Sequence, residues 1–398
     1  MLSTSFTLAV FFVCVVLLML IGRKSIWMGL IAAALLLGIF DPGPVRTGEE
    51  VLAVLGDASV LLLAVAMGMI ALIGGSLEYS GLIEDLVSNL RLRRKNFLAF
   101  SPALFGMLPM PGGALLSAPL VERGGGNVPA HQKAALNVWF RHVLVLIYPL
   151  GTLLVTAKIA GVNLYTAIVY LFPALLFIIA LGYIFILKGV EGRNTYTSEF
   201  SARKLSIPLI IVLSAPILDI VLVAVFKLMH ELLLVVAVSV SLALSFYFGH
   251  LSLKDVKPLS LKMKPWNFGL IIIAMFVFLN VFRSSGVPAF IAGLSLSRAV
   301  LIVGVGALLG FATGRVQVPF SILAPIYFSK YGVEAMMPSI FALTYLSIFM
   351  GYVISPVHPC VLVSLEYFKT DLKSFFKILA LPTAAVLLAA FVFACMIS

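Results

Sequence analysis

Residues 104–121 read LFGMLPMPGGALLSAPLV, an apolar stretch that two prolines and two glycines interrupt. At membrane depth no water bonds to an unwound backbone, so such a break survives only when it is buried in protein or lines a wet cavity. The prolines lack an N–H donor and the glycines tolerate positive φ, so together they predict a tight reversal between two short helices. This pattern indicates a re-entrant hairpin over residues 97–121.

A second broken stretch, LGFATGRVQVPFSILAPIY, occupies residues 309–327. A Thr-Gly-Arg sequence takes the place of the proline-glycine turn, and the later Ala-Pro-Ile resembles the Ala-Pro-Leu of the first hairpin. We therefore predict a second hairpin over residues 298–328. Two broken, short hydrophobic segments at matching positions of two halves indicate the binding site of a transporter.

The composition places the chain in a membrane. Of its 398 residues, 62% are hydrophobic and 11% are charged, and the mean hydropathy is +1.16. The net charge of +11 falls mostly in short loops beside apolar runs, which is a topology signal and does not indicate a nucleic-acid partner. The three cysteines have no metal-site spacing, and no HExxH, P-loop, GxSxG or CxxC motif occurs. We predict no enzyme activity, no metal and no cofactor.

The apolar runs predict an all-α polytopic membrane protein with about ten transmembrane helices plus the two hairpins. Residues 1–190 would form a first repeat of three helices, hairpin and two helices; residues 191–204 would be a cytoplasmic linker, and residues 205–398 would repeat the scheme. Short amphipathic segments at 84–95 and 254–264 should lie on the surface. The predicted spans are at about 5–22, 25–40, 58–82, 134–157, 164–187, 205–227, 232–249, 266–284, 334–357 and 374–397.

Lysine and arginine predict the orientation. One set of loops carries 19 of these residues and the opposite set carries six, while Arg141 and Arg315 lie within membrane segments. The basic side faces the cytoplasm, so we expect a multi-pass protein of the cytoplasmic membrane with its N-terminus outside. The second repeat then begins on the opposite side from the first, so the two are inverted and the hairpins enter from opposite faces.

Arg315, at the tip of the second hairpin, is the clearest functional candidate. A guanidinium at membrane depth is costly, and its fork of donors suits a carboxylate or phosphate, to which half-helix N-termini add positive potential. The alternative is a structural arginine that caps carbonyl groups of the other hairpin or pairs with Glu78 or Glu122. The sequence leaves the two hypotheses equally weighted.

The span that follows each hairpin contains a proline break. In the first half, Asn137 and Arg141 share a face, His142 follows, and Tyr148 begins a Tyr-Pro-Leu-Gly break. In the second half the matching place reads Ser-Pro-Val-His-Pro over residues 355–359. Both histidines could be packing residues. Arg141 with its histidine could be a gate, a substrate ligand or an anchor whose guanidinium snorkels.

Asp219 lies in the middle of the sixth predicted span. A buried carboxylate there could carry a proton, and pairing with Lys227 or Arg283 is the equal alternative. The proton-coupling candidates are His142, Asp219 and His358. The candidate substrate-binding residues are Pro111, Gly112, Gly113, Asn137, Arg141, His142, Tyr148, Thr313, Gly314, Arg315, Gln317, Ser355 and His358.

The sequences GMLPMPGGALLSAPLVE and NVWFRHVLVLIYPLG, residues 106–122 and 137–151, resemble an uncharacterised prokaryotic integral-membrane family, a family of unknown function. That resemblance covers nearly the whole chain. At the level of architecture the chain is similar to the ion transporter superfamily, which includes gluconate permeases and citrate and dicarboxylate carriers. The superfamily implies a dimerising scaffold domain and a transport domain that contains both hairpins and moves as an elevator.

The superfamily resemblance also indicates site residues. By position it implies residues 110–113 on one tip, 313–317 on the other, and the breaks near Tyr148 and Ser355. Members with sodium sites carry a serine-asparagine-threonine type of motif on each tip. This chain has Pro-Gly-Gly and Thr-Gly-Arg instead, which argues against sodium coupling.

The leading hypothesis is a secondary active transporter of a small organic anion, driven by a proton or cation gradient and working as a homodimer in lipid. One alternative is a translocase for a lipid or polyprenyl-phosphate headgroup. Another is an intramembrane enzyme that uses Asp219 or His142. A channel is less consistent with hairpins that enter from opposite sides.

Overall fold

The structure, a computed structural model, describes residues 4–22, 24–107, 113–192, 199–332 and 336–397. All the regular structure in these residues is helical, and seven helices are long and apolar enough to cross a membrane. Many large apolar side chains on the outer helices are exposed, as expected for a surface that faces lipid. The predicted all-α membrane fold is confirmed.

The first half contains ten α-helices in the described residues. Two of them, α8 and α9, are the two parts of one interrupted span. The helices are α1 (Thr4–Gly22), α2 (Ile26–Phe40), α3 (Pro44–Gly56), α4 (Ala58–Tyr79), α5 (Leu82–Ser88), α6 (Arg94–Gly106), α7 (Gly113–Gly125), α8 (Ala130–Val143), α9 (Thr152–Ala160) and α10 (Leu164–Leu181).

The second half has a similar order of elements. A π-helical segment, Val300–Val305, leads into α16, and a second interrupted span consists of α18 and α19. The helices are α11 (Ala202–Val225), α12 (His230–Phe248), α13 (Val256–Met263), α14 (Pro265–Ser284), α15 (Val287–Ala292), α16 (Gly306–Thr313), α17 (Gln317–Tyr331), α18 (Pro338–Ile354), α19 (Pro359–Tyr367) and α20 (Leu372–Met396).

The helix contacts fall into two groups. The first bundle consists of α1–α5 and α11–α15, and the second bundle consists of α6–α10 and α16–α20. Within the first bundle α4 crosses α14, and the pair α2–α14 matches the pair α4–α12. Within the second bundle α6–α8 matches α16–α18, and α8–α20 matches α10–α18. Among the described helices, the main contacts between the bundles are those of α17 with α14 and α15.

Glycines allow the closest helix crossings. A Cβ built on Gly106 would lie 1.8 Å from the carbonyl oxygen of Arg141, and one built on Gly310 would lie 2.1 Å from that of Ile348. Only a residue without a Cβ permits these backbones to approach so closely. The two glycines therefore fix each first hairpin helix against the interrupted span that follows it.

Both interrupted spans unwind where the sequence predicts. The helix α8 ends at Val143, a single 3₁₀ turn follows, and α9 begins only at Thr152. The helix α18 ends at Ile354 and α19 begins at Pro359. A proline within each break removes a backbone donor and clashes with the preceding turn, which explains why the helix does not continue.

Two helices differ from the sequence predictions. The segment between the second and third spans forms the amphipathic helix α3, with Thr47 and Val54 buried, where no element was expected. The predicted span at 334–357 was too short, because helix resumes beyond the break as α19. A proline at the first position favours the start of each helix, since that position needs no donor.

Candidate functional site

The tip of the second hairpin packs directly on the second break. Gly314 has a φ of +59°, and a Cβ on it would lie 2.9 Å from the backbone nitrogen of His358. Ser355, the first residue of the break, donates its hydroxyl to the carbonyl of Phe311 at 2.5 Å. Thr313 donates its hydroxyl to Leu309 within its own helix at 2.8 Å. Backbone contact therefore joins the hairpin tip to the interrupted helix.

Arg315 lies at this tip and is half-buried. It forms no hydrogen bond or ion pair with any residue in the described part of the chain. The two acids considered as partners are paired elsewhere: Glu78 binds Lys262 at 3.0 Å, and Glu122 binds Lys133 at 2.7 Å. The guanidinium is thus exposed enough to meet a ligand, and both acids are engaged with lysines.

Arg141 is buried, and its Nη1 donates to the carbonyl of Gly113 at 2.9 Å. Gly113 begins α7, so the bond joins α8 to the first hairpin. The guanidinium therefore points into the protein, and the snorkelling alternative is wrong. The neighbouring candidates Pro111 and Gly112 lie outside the described residues.

Asn137 joins three helices through its buried amide. Its Oδ1 accepts from the Ser117 hydroxyl at 2.7 Å, and its Nδ2 donates to the Ala114 carbonyl at 3.2 Å and to the Ser364 hydroxyl at 2.9 Å. Ser117 and Ala114 lie on α7, while Ser364 lies on α19. These bonds leave little capacity for a ligand, so the geometry gives Asn137 a positioning role.

His142, Tyr352 and His358 meet between the two interrupted spans. His142 Nδ1 lies 2.6 Å from the Val138 carbonyl, and its Nε2 lies 3.1 Å from the Tyr352 hydroxyl. The rings of the two histidines are 4.8 Å apart, and the Tyr352 ring is 4.1 Å from that of His358. This cluster brings both histidine candidates together and adds Tyr352, which sequence reasoning missed because it lies 210 residues from His142.

Cys360 completes this cluster. One ligand atom from each of His142, His358 and Cys360 lies within 4.8 Å of the others. The sulfur is partly exposed, whereas both imidazoles are buried. Spacing along the chain could not reveal this group, because His142 comes from the other half of the molecule.

The remaining candidates lie around this centre or away from it. Gln317 is the first residue of α17 and lies two residues after Arg315. Tyr148 points toward α11, where its hydroxyl is 3.5 Å from the Val212 carbonyl. Its aromatic ring is therefore part of the contact between the two bundles.

Asp219 is fully buried on α11 and is paired. It accepts from the Tyr165 hydroxyl and lies 3.0 Å from His230 Nε2. The alternative of pairing with Lys227 or Arg283 is wrong, since Tyr165 and His230 are the partners and Arg283 donates to a backbone carbonyl of α9. The structure does not bring Asp219 to the histidine cluster.

Comparison with known proteins gives a family and a structure with a similar fold. A profile of the family described as "Protein of unknown function (DUF401)" matches residues 4–397. Among solved structures, the chain is similar to the YdaH transporter of Alcanivorax borkumensis, a crystal structure with a topology described as unusual. The TM-score is 0.59, with 15% identity over 85% of each chain. No curated protein matches the chain.

Proposed function

This chain belongs to the DUF401 family, and we propose that it is a secondary active transporter that moves a small organic anion across the cytoplasmic membrane. The observation that carries the proposal is the position of Arg315. Its guanidinium lies at a hairpin tip, half-buried, against a broken helix, and is free of hydrogen bonds within the described part of the chain. A guanidinium that is partly removed from water and has no partner is unfavourable, and an anion would satisfy it.

The substrate site lies between the second hairpin tip and the two breaks. Arg315 binds the anionic group, and Gln317, at the start of α17, adds a donor beside the backbone N–H groups of that helix. Gly314 allows the tip to approach the second break, while Asn137 and Arg141 hold the first hairpin in position. The site is therefore made from both halves of the chain.

Coupling uses a proton or another cation. The buried pair of His142 and His358 supplies titratable groups within contact distance of Tyr352. Asp219 is the weaker candidate, because its carboxylate is already held by Tyr165 and His230. Sodium is disfavoured because the tips lack the motif expected from the superfamily resemblance.

Alternating access follows an elevator scheme in this proposal. Residues 1–190 and 205–398 are two inverted repeats joined by a cytoplasmic linker, with the N-terminus outside. The second bundle carries both hairpins and moves against the first bundle, which forms the homodimer contact. Two observations on the described residues support this division: few helix contacts cross between the bundles, and α17 packs on α14 and α15 while α7 makes no comparably extensive contact with α4 or α5. Such asymmetry is expected of one end state.

The superfamily relationship stays part of the proposal. The two hairpins, α6–α7 and α16–α17, and the two interrupted spans, α8–α9 and α18–α19, agree with the arrangement expected of gluconate permeases and of citrate and dicarboxylate carriers. Fold similarity does not identify a substrate, so the anion class rests on the site alone.

The first test is thermal stabilisation of the purified full-length protein by a panel of carboxylates, phosphate and sulfate. A ligand at about 100 times its dissociation constant adds roughly 2.7 kcal/mol to the free energy of unfolding, which a melting curve detects. We expect one chemical class to stabilise the protein and Arg315→Gln to abolish the shift. The matched control is Arg46→Gln, an exposed arginine paired with Glu49.

The same panel separates the alternatives. Stabilisation that persists in Arg315→Gln would overturn the site assignment. Stabilisation only by a short-chain polyprenyl phosphate in micelles would favour the headgroup translocase. Product formation in detergent, without any gradient, would favour an intramembrane enzyme.

A further inference from the structure

We propose that His142, His358 and Cys360 form a binding site for a soft monovalent metal ion, of which Cu(I) is the representative. The three side chains supply two imidazole nitrogens and one sulfur, with the ligand atoms within 4.8 Å of one another. Thiolate and imidazole are the ligands that select Cu(I), whereas oxygen ligands suit magnesium or calcium. The inference does not depend on the proposed anion transport.

The distances between the three ligand atoms are close to those found around a bound metal ion. Metal–nitrogen and metal–sulfur bonds are about 2.0 Å and 2.3 Å long, so two ligands on opposite sides of one ion lie at most about 4.3 Å apart. The observed limit of 4.8 Å therefore requires the farthest pair to approach by about 0.5 Å or more. Side-chain rotation of Cys360, which is only partly buried, can supply this movement.

Hydrogen bonding prepares the two imidazoles. The Nδ1 of His142 lies 2.6 Å from the Val138 carbonyl, which can only accept, so Nδ1 carries the proton and Nε2 keeps its lone pair. Outer-shell bonds of this kind fix the tautomer of metal-binding histidines. The lone pair of Nε2 accepts from the Tyr352 hydroxyl at 3.1 Å, so a metal ion at Nε2 would displace this hydroxyl. The Nδ1 of His358 is buried without a hydrogen-bond partner among the described residues. A buried ring nitrogen without a partner is costly, and a metal bond would satisfy the imidazole.

Charge selects a monovalent ion. Arg315 follows Gly314, whose backbone packs on that of His358, and Arg141 directly precedes His142, so both guanidinium groups belong to segments that meet at the cluster. A thiolate cancels the charge of Cu(I), so the loaded site is neutral beside two guanidinium groups. A divalent ion would leave one positive charge there, and the repulsion would be strong where water is largely excluded. We therefore expect Cu(I) and Ag(I) to bind more tightly than Zn(II).

The experiment measures metal binding by the purified full-length protein in detergent. Anaerobic titration with Cu(I) against a chromophoric Cu(I) chelator gives stoichiometry and affinity, and Ag(I) serves as a redox-inert second probe. We expect one high-affinity ion per chain. Cys360→Ser and His358→Gln should each weaken binding by about 100-fold or more. The matched control is Cys395→Ser, which removes an exposed thiol outside the cluster.

Several outcomes would overturn the site. They are the absence of high-affinity binding, unchanged affinity in Cys360→Ser, or loss of binding in Cys395→Ser. Tighter binding of Zn(II) than Cu(I) would overturn the charge argument.

If a cluster variant fails to fold, X-ray absorption on a chain carrying Cys14→Ser and Cys395→Ser decides instead. One sulfur and two nitrogen neighbours support the site, and a shell without sulfur refutes it. Thermal stabilisation by anions is measured in a separate experiment. Failure of the metal-site proposal can therefore be distinguished from failure of the proposed anion transport.

Discussion

Arg141 and Arg315 both lie at the polar centre of the second bundle, yet their surroundings differ. Arg141 is 5% exposed, and its guanidinium donates to the Gly113 carbonyl at 2.9 Å. Arg315 is half-buried and has no hydrogen-bond partner in the described ranges. One guanidinium is therefore used to hold the first hairpin, while the other has its donors available.

The two hairpins differ in the same way. Side chains of α8 tie the start of α7 in place, through Arg141 and Asn137. The second tip instead makes backbone contact with its break, through Gly314. Because the start of α7 is held by side chains, a ligand at Gly113 or Ala114 would have to displace existing hydrogen bonds. The same architectural position is thus tied by side chains in one half and by a backbone contact in the other.

Substitution of Gly106 and Gly310 tests whether the first helices of the two hairpins pack equally tightly on the interrupted spans, and it should have the strongest effect of the substitutions considered. Gly106→Ala and Gly310→Ala each force a methyl group within about 2 Å of a carbonyl oxygen. Overpacking against backbone costs about 3 kcal/mol or more, so little folded protein should remain by fluorescence-detected size-exclusion chromatography. The control is Gly304→Ala, whose Cβ would meet only a side chain of its own helix at 3.8 Å. Normal folding of either variant would contradict the packing described for that hairpin.

Replacing each arginine by methionine separates the two roles. A charge-assisted hydrogen bond contributes about 1.5–3 kcal/mol, or roughly 10- to 150-fold in a binding constant. Arg141→Met should lower the melting temperature because the bond to Gly113 is lost. Arg315→Met should leave melting nearly unchanged and weaken anion binding by that factor. The opposite pattern, with stability lost only in Arg315→Met, would reverse the assignment.

Asn137 and Thr344 occupy matching positions of α8 and α18, but only the Asn137 side chain bonds to other helices in the described residues. Asn137→Ala leaves the Ala114 carbonyl and two hydroxyl groups without their partner and should cost about 1–3 kcal/mol. Thr344 bonds only the Ile340 carbonyl of its own helix, so Thr344→Ala should cost less than about 1 kcal/mol. Thermal melting of both variants in the same detergent gives the difference. Equal losses would mean that the first hairpin is not held through Asn137.

Substitution of Gly314 or Gly113, at the turns of the two hairpins, should cause the smallest loss of stability of the paired substitutions. Gly314→Ala strains a positive φ and pushes on the backbone of His358, so it should cost about 1–2 kcal/mol. Gly113→Ala would place a methyl group 2.1 Å from the guanidinium of Arg141, which can shift only by weakening its bond to the Gly113 carbonyl, so it should cost about 1 kcal/mol. Melting temperatures of the two variants provide the measurement. A larger loss for Gly113→Ala would show that the first tip is the more rigid one.

The sequence predicted the features that local chemistry determines. Apolar runs of membrane length and proline breaks locate the spans and their interruptions, as the ends of α8 and α18 show. The helix α3 was missed because its apolar residues are few and its length is short, although a proline precedes its amphipathic pattern. Local patterns identify a helix that spans a membrane more readily than one that lies along its surface.

Contacts between distant segments could not be predicted in the same way. Asp219 has basic residues near it in sequence, yet it accepts from the Tyr165 hydroxyl, which α10 brings from 54 residues away, and lies beside His230 at the start of α12. The approach of His142 to Tyr352 depends on how α8 packs against α18, 210 residues away. Such pairings follow from helix packing and carry no periodic signal in the sequence.

The crossing of α4 and α14 has a further consequence. A Cβ on Gly68 would lie 3.1 Å from the Pro265 carbonyl oxygen, and one on Gly269 would lie 3.1 Å from that of Ala64. Each helix thus offers a glycine and a carbonyl four residues earlier to the same pair on its partner. Reciprocal contact of this kind is the isologous interface of a two-fold symmetric dimer. Here a single chain contains both sides of that interface. The contact between α4 and α14 therefore forms with first-order kinetics, at a rate independent of protein concentration.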